Sequence, residues 1–185
     1  SGWRNYIARV PDLFHDPLKS GARLGFVANG DTHRRAPGLS GALTGIYARE
    51  LTVEAIFEAL RNRRCFATNG SRILVDARAN GIFMGQDVMI KDNAVNLTLR
   101  SVGTRPIVSV VLIRDGEEIQ RFSGNGKREI KLSYRDQKLS SGTHWYYWRI
   151  SQQQDAPVLP GNMMAAYGHL AWSTPNWVIV PENKP

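Results

Sequence analysis

An acid and a histidine stand two residues apart after a short apolar run, and both residue types bind metal ions. The run at residues 25–28 is followed by Gly30, and Asp31 and His33 come directly after it. Side chains at positions i and i+2 of an extended segment point to the same side. Asp31 and His33 could therefore bind one centre, and such ligands suit zinc, iron or manganese. The alternative is ordinary turn chemistry, in which the aspartate hydrogen bonds its own backbone two residues on.

Two arginines follow the histidine directly, and they suggest an anionic substrate. Arg34 and Arg35 could clamp a phosphorylated small molecule, because a guanidinium group matches phosphate geometry with paired hydrogen bonds. The alternative is a solvated pair in a loop, which is the usual situation of arginine. We therefore predict that Arg34 and Arg35 bind substrate if Asp31 and His33 bind metal.

Two stretches around this pair resemble a known family of metal-dependent hydrolases. They are LGFVANGDTHRRAPG at residues 24–38 and LTVEAIFEALRNRRCFATNGSRI at residues 51–73. Together they resemble the end of a PHP domain, of the polymerase and histidinol phosphatase superfamily, where the last ligand motif is Asp-x-His at the end of a barrel strand. Asp31 and His33 fall on that motif. Two later stretches, WYYWRISQ at 145–152 and AWSTPNWV at 171–178, resemble the closing strands of a C-terminal β domain that some of these hydrolases carry.

The resemblance implies phosphoester or related hydrolysis by water that divalent metal ions of the Zn, Mn or Fe class activate. The family takes its other ligands from upstream residues, beginning with a His-x-His pair. This chain has only four histidines, at positions 15, 33, 144 and 169, and no such pair. The resemblance therefore implies the C-terminal part of a longer enzyme, with an incomplete metal site and with the upstream part of the same PHP domain as its partner. No residue is predicted to be the general base.

The sequence pattern predicts a mixed α+β fold in two domains. A helix is predicted over residues 53–61, because Thr52 is a good N-cap and apolar residues then recur at helical spacing. After Arg64, short strands alternate with turn signals such as Asp115-Gly116, which is typical of a β-sandwich. With the resemblance, this predicts a small α/β remnant of a PHP barrel in residues 1–70, including a strand at 24–28. An antiparallel β-sandwich is predicted in residues 71–185.

The charge and composition argue against two other classes of partner. The net charge is +8, but the basic residues are scattered and lack the interleaved aromatic residues that stack on bases. No apolar stretch approaches the length that spans a bilayer. Nucleic acid and membrane are therefore not expected as partners. The single cysteine, Cys65, excludes an internal disulfide and is expected to be an inert core residue.

The alternative interpretation is a non-catalytic β-sandwich module that binds a partner domain or a glycan. Exposed aromatic side chains on such a sandwich can stack on sugar rings, and four tryptophans lie late in the chain, at positions 145, 148, 172 and 177. Trp145 and Trp148 fall on opposite faces of one strand, so they cannot form one platform. In this interpretation residues 31–33 are only a turn.

Overall fold

The computed structural model describes residues 10–29, 42–154 and 169–182, and these contain two helices and twelve strands. The helices are α1 (Val10–Lys19) and α2 (Val53–Arg61). The strands are β1 (Leu43–Ile46), β2 (Cys65–Thr68), β3 (Leu74–Ala79), β4 (Ile82–Phe83), β5 (Asp87–Met89), β6 (Ala94–Val102), β7 (Ile107–Arg114), β8 (Glu117–Ser123), β9 (Glu129–Gln137), β10 (Gly142–Gln152), β11 (Leu170–Ser173) and β12 (Asn176–Val180). Neither α1 nor α2, the helices of these ranges, is long and apolar enough to cross a bilayer.

The strands form two sheets, and the larger one is built around β10. In the eight-stranded sheet the order is β1-β2-β11-β10-β12-β5, while β7 pairs with the other edge of β10 and carries β8. The first part of β10 pairs with β12 and the later part with β11. Every pairing in this sheet is antiparallel except that of β12 with β5. The second sheet has the order β4-β3-β6-β9 and is antiparallel.

The main apolar core belongs to both sheets, because alternate residues of each strand point to one face. In β6, Val95, Leu97 and Leu99 are buried and the residues between them are exposed or half-buried. Trp148 and Ile150 of β10 belong to the same core cluster. Full burial of an aliphatic side chain stabilises a fold by about 1.5–3 kcal/mol. This alternation therefore accounts for the side of each sheet that faces the core.

A second apolar cluster covers the outer face of the eight-stranded sheet. It contains Leu18 of α1 together with sheet residues that include Trp145, Tyr147 and Trp177, and Phe26 packs against it. Residues 10–29, the described part of the chain before residue 42, therefore form a cover over this face of the sheet. Trp145 and Trp148 lie on opposite faces of β10, as predicted, and both are buried.

The predicted α/β remnant is wrong. The strands β1 and β2 belong to the large antiparallel sheet, because β2 pairs with β11 near the end of the chain. The barrel strand predicted at 24–28 is also wrong, since residues 22–29 join no sheet in the described part of the chain. The physical reason is that the Phe26 and Ala28 amides donate to threonine hydroxyls rather than to a neighbouring strand. The division of the chain at residue 70 stays a prediction.

Two local predictions are confirmed. Helix α2 covers the predicted residues, and the Ala55 amide donates to the Thr52 hydroxyl at 3.3 Å, which is the expected N-cap bond. The strands β7 and β8 form a hairpin around Asp115 and Gly116, whose φ angles are +53° and +97°. Positive φ at both central residues is what a tight two-residue hairpin requires.

Candidate functional site

The predicted metal ligands lie between Asn29 and residue 42, the two ends of the described structure on either side of them. The residues at these two ends are hydrogen bonded to each other. The Ala28 amide donates to the Thr44 hydroxyl at 2.9 Å, and the same hydroxyl donates to the Ala28 carbonyl at 2.7 Å. The Phe26 amide donates to the hydroxyl of Thr174, which is fully buried between β11 and β12, at 2.9 Å. Ala28 and Thr44, which lie on either side of residues 30–41 in the chain, are therefore neighbours at β1.

A glycine allows this approach to the sheet. A Cβ atom at Gly25 would lie 3.1 Å from the Cys65 sulfur and 3.4 Å from the Arg63 Cβ, so a larger residue would require these neighbours to shift by a few tenths of an ångström. The sulfur of Cys65 lies 3.7 Å from the Thr174 hydroxyl, and burial raises the pKa of the thiol. A thiol that stays protonated is a poor nucleophile. The predicted position of Cys65 in the core is confirmed, since the residue is 1% exposed, and its lack of reactivity stays a prediction.

Two arginines lie against the buried ring of Trp177 at the base of the same segment. The guanidinium carbons of Arg23 and Arg63 are 5.0 and 5.7 Å from the ring centroid. Arg23 also forms an ion pair with Asp87 at 2.7 Å, and the Arg63 Nε donates to the Gly85 carbonyl at 2.8 Å. Each cation–π contact contributes about 0.5–2 kcal/mol. Arg23 therefore holds residues 22–29 on the sheet, while Arg63 fixes the connection between α2 and β2 against Trp177 and Gly85.

The predicted site residues Asp31, His33, Arg34 and Arg35 all lie outside the described residues. The structure therefore neither brings them together nor separates them, and the metal site and the substrate clamp stay predictions. Within the described ranges, no group of three or more His, Cys, Asp or Glu side chains is placed to hold a metal ion.

The other histidines have separate environments. His15 is buried, and its Nε2 lies 3.0 Å from the Tyr147 hydroxyl, where it docks α1 on the sheet. The Nδ1 of His144 lies 2.6 Å from an Asp115 carboxylate oxygen, which ties β10 to the β7–β8 turn. His169 has a buried Nδ1 without a hydrogen-bond partner among the described residues. His15 and His144 therefore have clear structural roles.

A pocket beside β1 is lined in part by Arg72, a residue for which the sequence predicted no role. The pocket has a volume of about 230 Å³ and lies where β1 and β2 meet residues 72–74. Its walls include Leu43, Phe66, Thr68, Arg72, Ile73 and Leu74. The only sequence signal for Arg72 is its place just after the Asn69-Gly70 turn, inside the stretch that resembles the hydrolase family. The register of distant strands, which a local pattern does not encode, creates the pocket.

Comparison with solved structures finds distant likenesses. The CARDB domain of a Pyrococcus furiosus protein, described in complex with di-metal ions, is 10% identical, with a TM-score of 0.38 over 60% of this chain and 88% of that one. A lytic polysaccharide monooxygenase of Jonesia denitrificans is 18% identical, with a TM-score of 0.36 over 51% of this chain and 57% of that one. Neither likeness bears on the chemistry of this chain.

Comparison with sequences is more informative. An uncharacterized protein of Chlamydia trachomatis is 25% identical over an alignment that covers 87% of this chain and 28% of that protein. An uncharacterized protein of Chlamydia pneumoniae is 29% identical, with the same coverage of 87% of this chain and 28% of that protein. The chain thus spans about a quarter of the length of these relatives. A family model described as "Protein of unknown function (DUF3604)" matches residues 4–103, which is more than half of the chain, and the chain therefore belongs to this family.

Proposed function

We propose that this chain is the C-terminal part of a PHP-type metal-dependent hydrolase and that Asp31 and His33 contribute to its metal site. The observation that carries the proposal is the Asp-x-His spacing directly after an apolar run that ends in glycine. The bonds between Ala28 and Thr44 support it, because they join the described residues on either side of the segment at 30–41. The relatives support it too, since most of their length lies outside the matched region and has room for further ligands.

The donor set fits a divalent ion of the Zn, Mn or Fe class. Carboxylate oxygen and imidazole nitrogen are ligands that these ions accept, but two ligands do not complete a site. The remaining ligands would come from the upstream part of the same domain. When bound, such ions lower the pKa of a water molecule and offset the negative charge of a reacting phosphoester. Asp31 and His33 would hold the ions, while Arg34 and Arg35 would orient the anionic group of the substrate.

Exposed apolar side chains near the proposed site support an upstream partner. Val27 is 59% exposed and Leu24 is 39% exposed, and both lie on the segment that leads to Asp31. Packing by an adjoining part of the same protein would remove these side chains from water. The residues that complete the metal site would then arrive on the element that covers Leu24 and Val27.

The proposal is tested in the complete protein by replacing the histidine ligand. In His33→Ala we expect both bound metal and hydrolysis of p-nitrophenyl phosphate to fall, the latter by about 100-fold or more, because a metal ligand contributes directly to the activation of water. Plasma mass spectrometry measures the metal and circular dichroism the fold. Thr32→Ala is the matched control, since its side chain would point away from Asp31 and His33 on an extended segment. Equal activity and equal metal content in His33→Ala and Thr32→Ala would rule out the metal role.

The non-catalytic module remains the second candidate, and the buried aromatic residues favour its partner-domain form over its glycan form. Trp145, Trp148 and Trp177 are each 3% exposed or less, so they present no ring to a sugar. Trp172 is only partly buried in the outer cluster. Retention of the chain on a polysaccharide column, lost in Trp172→Ala, would favour the glycan form. Absence of bound metal in the complete protein would favour a module over an enzyme.

A further inference from the structure

We propose that the pocket beside β1 binds an organic phosphate with a small apolar group, and that Arg72 recognises its charge. The proposal rests on the proposed function only in identifying this ligand as the substrate of the hydrolase. The pocket itself is formed by described residues. Arg72 would therefore be a further substrate-binding residue, in addition to Arg34 and Arg35.

The size and position of the pocket suit a small molecule. Pockets for drug-sized ligands run to about 300–1,000 Å³, whereas this one is about 230 Å³, which favours a smaller ligand. Strand register defines the walls, because Leu43 pairs with Thr68 and Gly45 pairs with Phe66. Directly paired residues share a face of the sheet, so these four residues lie on the same side of β1 and β2.

The apolar wall is preformed. The Phe66 ring lies directly on the backbone of Gly45, where an added Cβ atom would overlap it. The Phe66 ring also meets Tyr47, with ring centroids 5.9 Å apart, and Tyr47 in turn meets Phe83 at 4.9 Å. A ring held in this way does not have to be ordered when a ligand binds, which removes an entropic cost of binding.

The polar groups at the pocket match an anion. The exposed Arg72 guanidinium has no hydrogen bond or ion pair with any described residue, whereas Arg64 and Arg78 are each paired with a carboxylate. Thr68 is 2% exposed and accepts the Gly70 amide at 3.4 Å, but its hydroxyl proton has no acceptor among the described residues. No acidic side chain is among the described residues that line the pocket. One unpaired cation, one available hydroxyl donor and an apolar wall together favour a phosphate on an apolar group.

The pocket also lies where the segment with the proposed metal ligands rejoins the sheet. Leu43 in its wall is the second described residue after the gap at 30–41, and the next residue, Thr44, binds Ala28 on the opposite face of β1. A substrate anchored at Arg72 would therefore be separated from the base of that segment by one strand.

The test is isothermal titration calorimetry of this chain with phenyl phosphate as the probe, in buffer that contains EDTA. We expect saturable binding of phenyl phosphate, and weaker binding of inorganic phosphate, which lacks the apolar group. Arg72→Gln should weaken binding of phenyl phosphate at least tenfold, and Thr68→Val should weaken it less. The matched control is Arg128→Gln, which removes the same charge from an exposed arginine next to the four-stranded sheet, and binding should stay within twofold.

Several outcomes would overturn the proposal. These are absence of binding, equal binding by Arg72→Gln and Arg128→Gln, and inorganic phosphate binding as tightly as phenyl phosphate. Because EDTA removes divalent metal, the titration measures binding of phenyl phosphate to the pocket without a contribution from bound metal ions. Loss of the pocket proposal while the complete protein retains metal at His33 would leave the hydrolase proposal standing. The opposite result is also distinguishable. If Arg72 binds phenyl phosphate specifically but the His33→Ala variant keeps its metal and activity, the pocket proposal stands and the metal role of His33 falls.

Discussion

At the scale of single residues, Tyr147 shows how the cover of the outer face is attached. Its side chain is 3% exposed, and its hydroxyl lies 3.0 Å from the Nε2 of the buried His15 on α1. Burial raises the pKa of Tyr147 from 10.0 to about 12, an effect that the positive charge of Arg149 partly offsets. The folded state therefore favours the neutral phenol. Ionisation of this one group would weaken the contact between α1 and the sheet.

This shift predicts a loss of stability at high pH. Below about pH 10 Tyr147 is neutral in both the folded and the unfolded state, so it does not make the free energy of unfolding depend on pH. Between about pH 10 and 12 only the unfolded state loses the phenol proton. The free energy of unfolding should fall in that window, by about 2–3 kcal/mol from this group. Urea unfolding at pH 9 and pH 11.5 measures the fall, and Tyr147→Phe should show a smaller one. Tyr134→Phe, on β9, is the control. An equal fall in both variants would contradict the assignment.

At the scale of elements, residues 22–29 are held on the sheet without forming a strand. The Thr44 hydroxyl of β1 both accepts from and donates to the backbone of Ala28, so it takes the place of a neighbouring strand. The Thr174 hydroxyl likewise accepts a hydrogen bond from the Phe26 amide. Thr174 lies between the end of β11 and the start of β12. Two threonines therefore set the path of the chain toward Asp31.

Removal of the Thr44 hydroxyl should loosen that path. Thr44→Val keeps the β-branched shape that suits a strand but leaves the Ala28 amide and carbonyl without this partner. We expect the free energy of unfolding to fall by about 1–3 kcal/mol. Amide hydrogen exchange at Ala28 should be faster even under conditions where the sheet stays folded. Thr98→Val on β6 is the control, since that hydroxyl has no partner among the described residues. Unchanged exchange at Ala28 would show that Thr44 does not hold the segment.

At the scale of the whole molecule, strands from distant parts of the chain share one sheet. The strand β2 pairs with β11, and β5 pairs with β12, so the sheet is complete only when the C-terminal residues are present. This arrangement and its two apolar clusters need no other chain to bury the core. The relatives are several times longer than the matched region. We therefore expect this chain to fold alone, whereas the proposed catalysis needs the complete protein.

This separation predicts that the isolated chain folds but does not hydrolyse phosphoesters. We expect a single cooperative unfolding transition, because the core is intact. We also expect no hydrolysis of p-nitrophenyl phosphate above background at any concentration of added zinc or manganese, because two ligands do not complete a metal site. The complete protein should hydrolyse it under the same conditions. Metal-dependent turnover by the isolated chain would contradict the idea that its site is incomplete.

Features of this protein that depend on local patterns were predictable from the sequence, and features that depend on distant contacts were not. The sequence alone predicted the bounds of α2, the Asp115-Gly116 hairpin and the opposite faces of Trp145 and Trp148, because caps, turns and alternation act over a few residues. The Asp-x-His pair at 31–33 is also a feature of sequence alone, and its role stays a prediction. Only the tertiary structure placed β1 and β2 in the large sheet, replaced the strand at 24–28 with threonine contacts, and formed the pocket at Arg72. The reason is physical: these features depend on contacts between residues far apart in the chain, such as those of Phe26 with Thr174 and of β2 with β11, and no local period encodes such contacts.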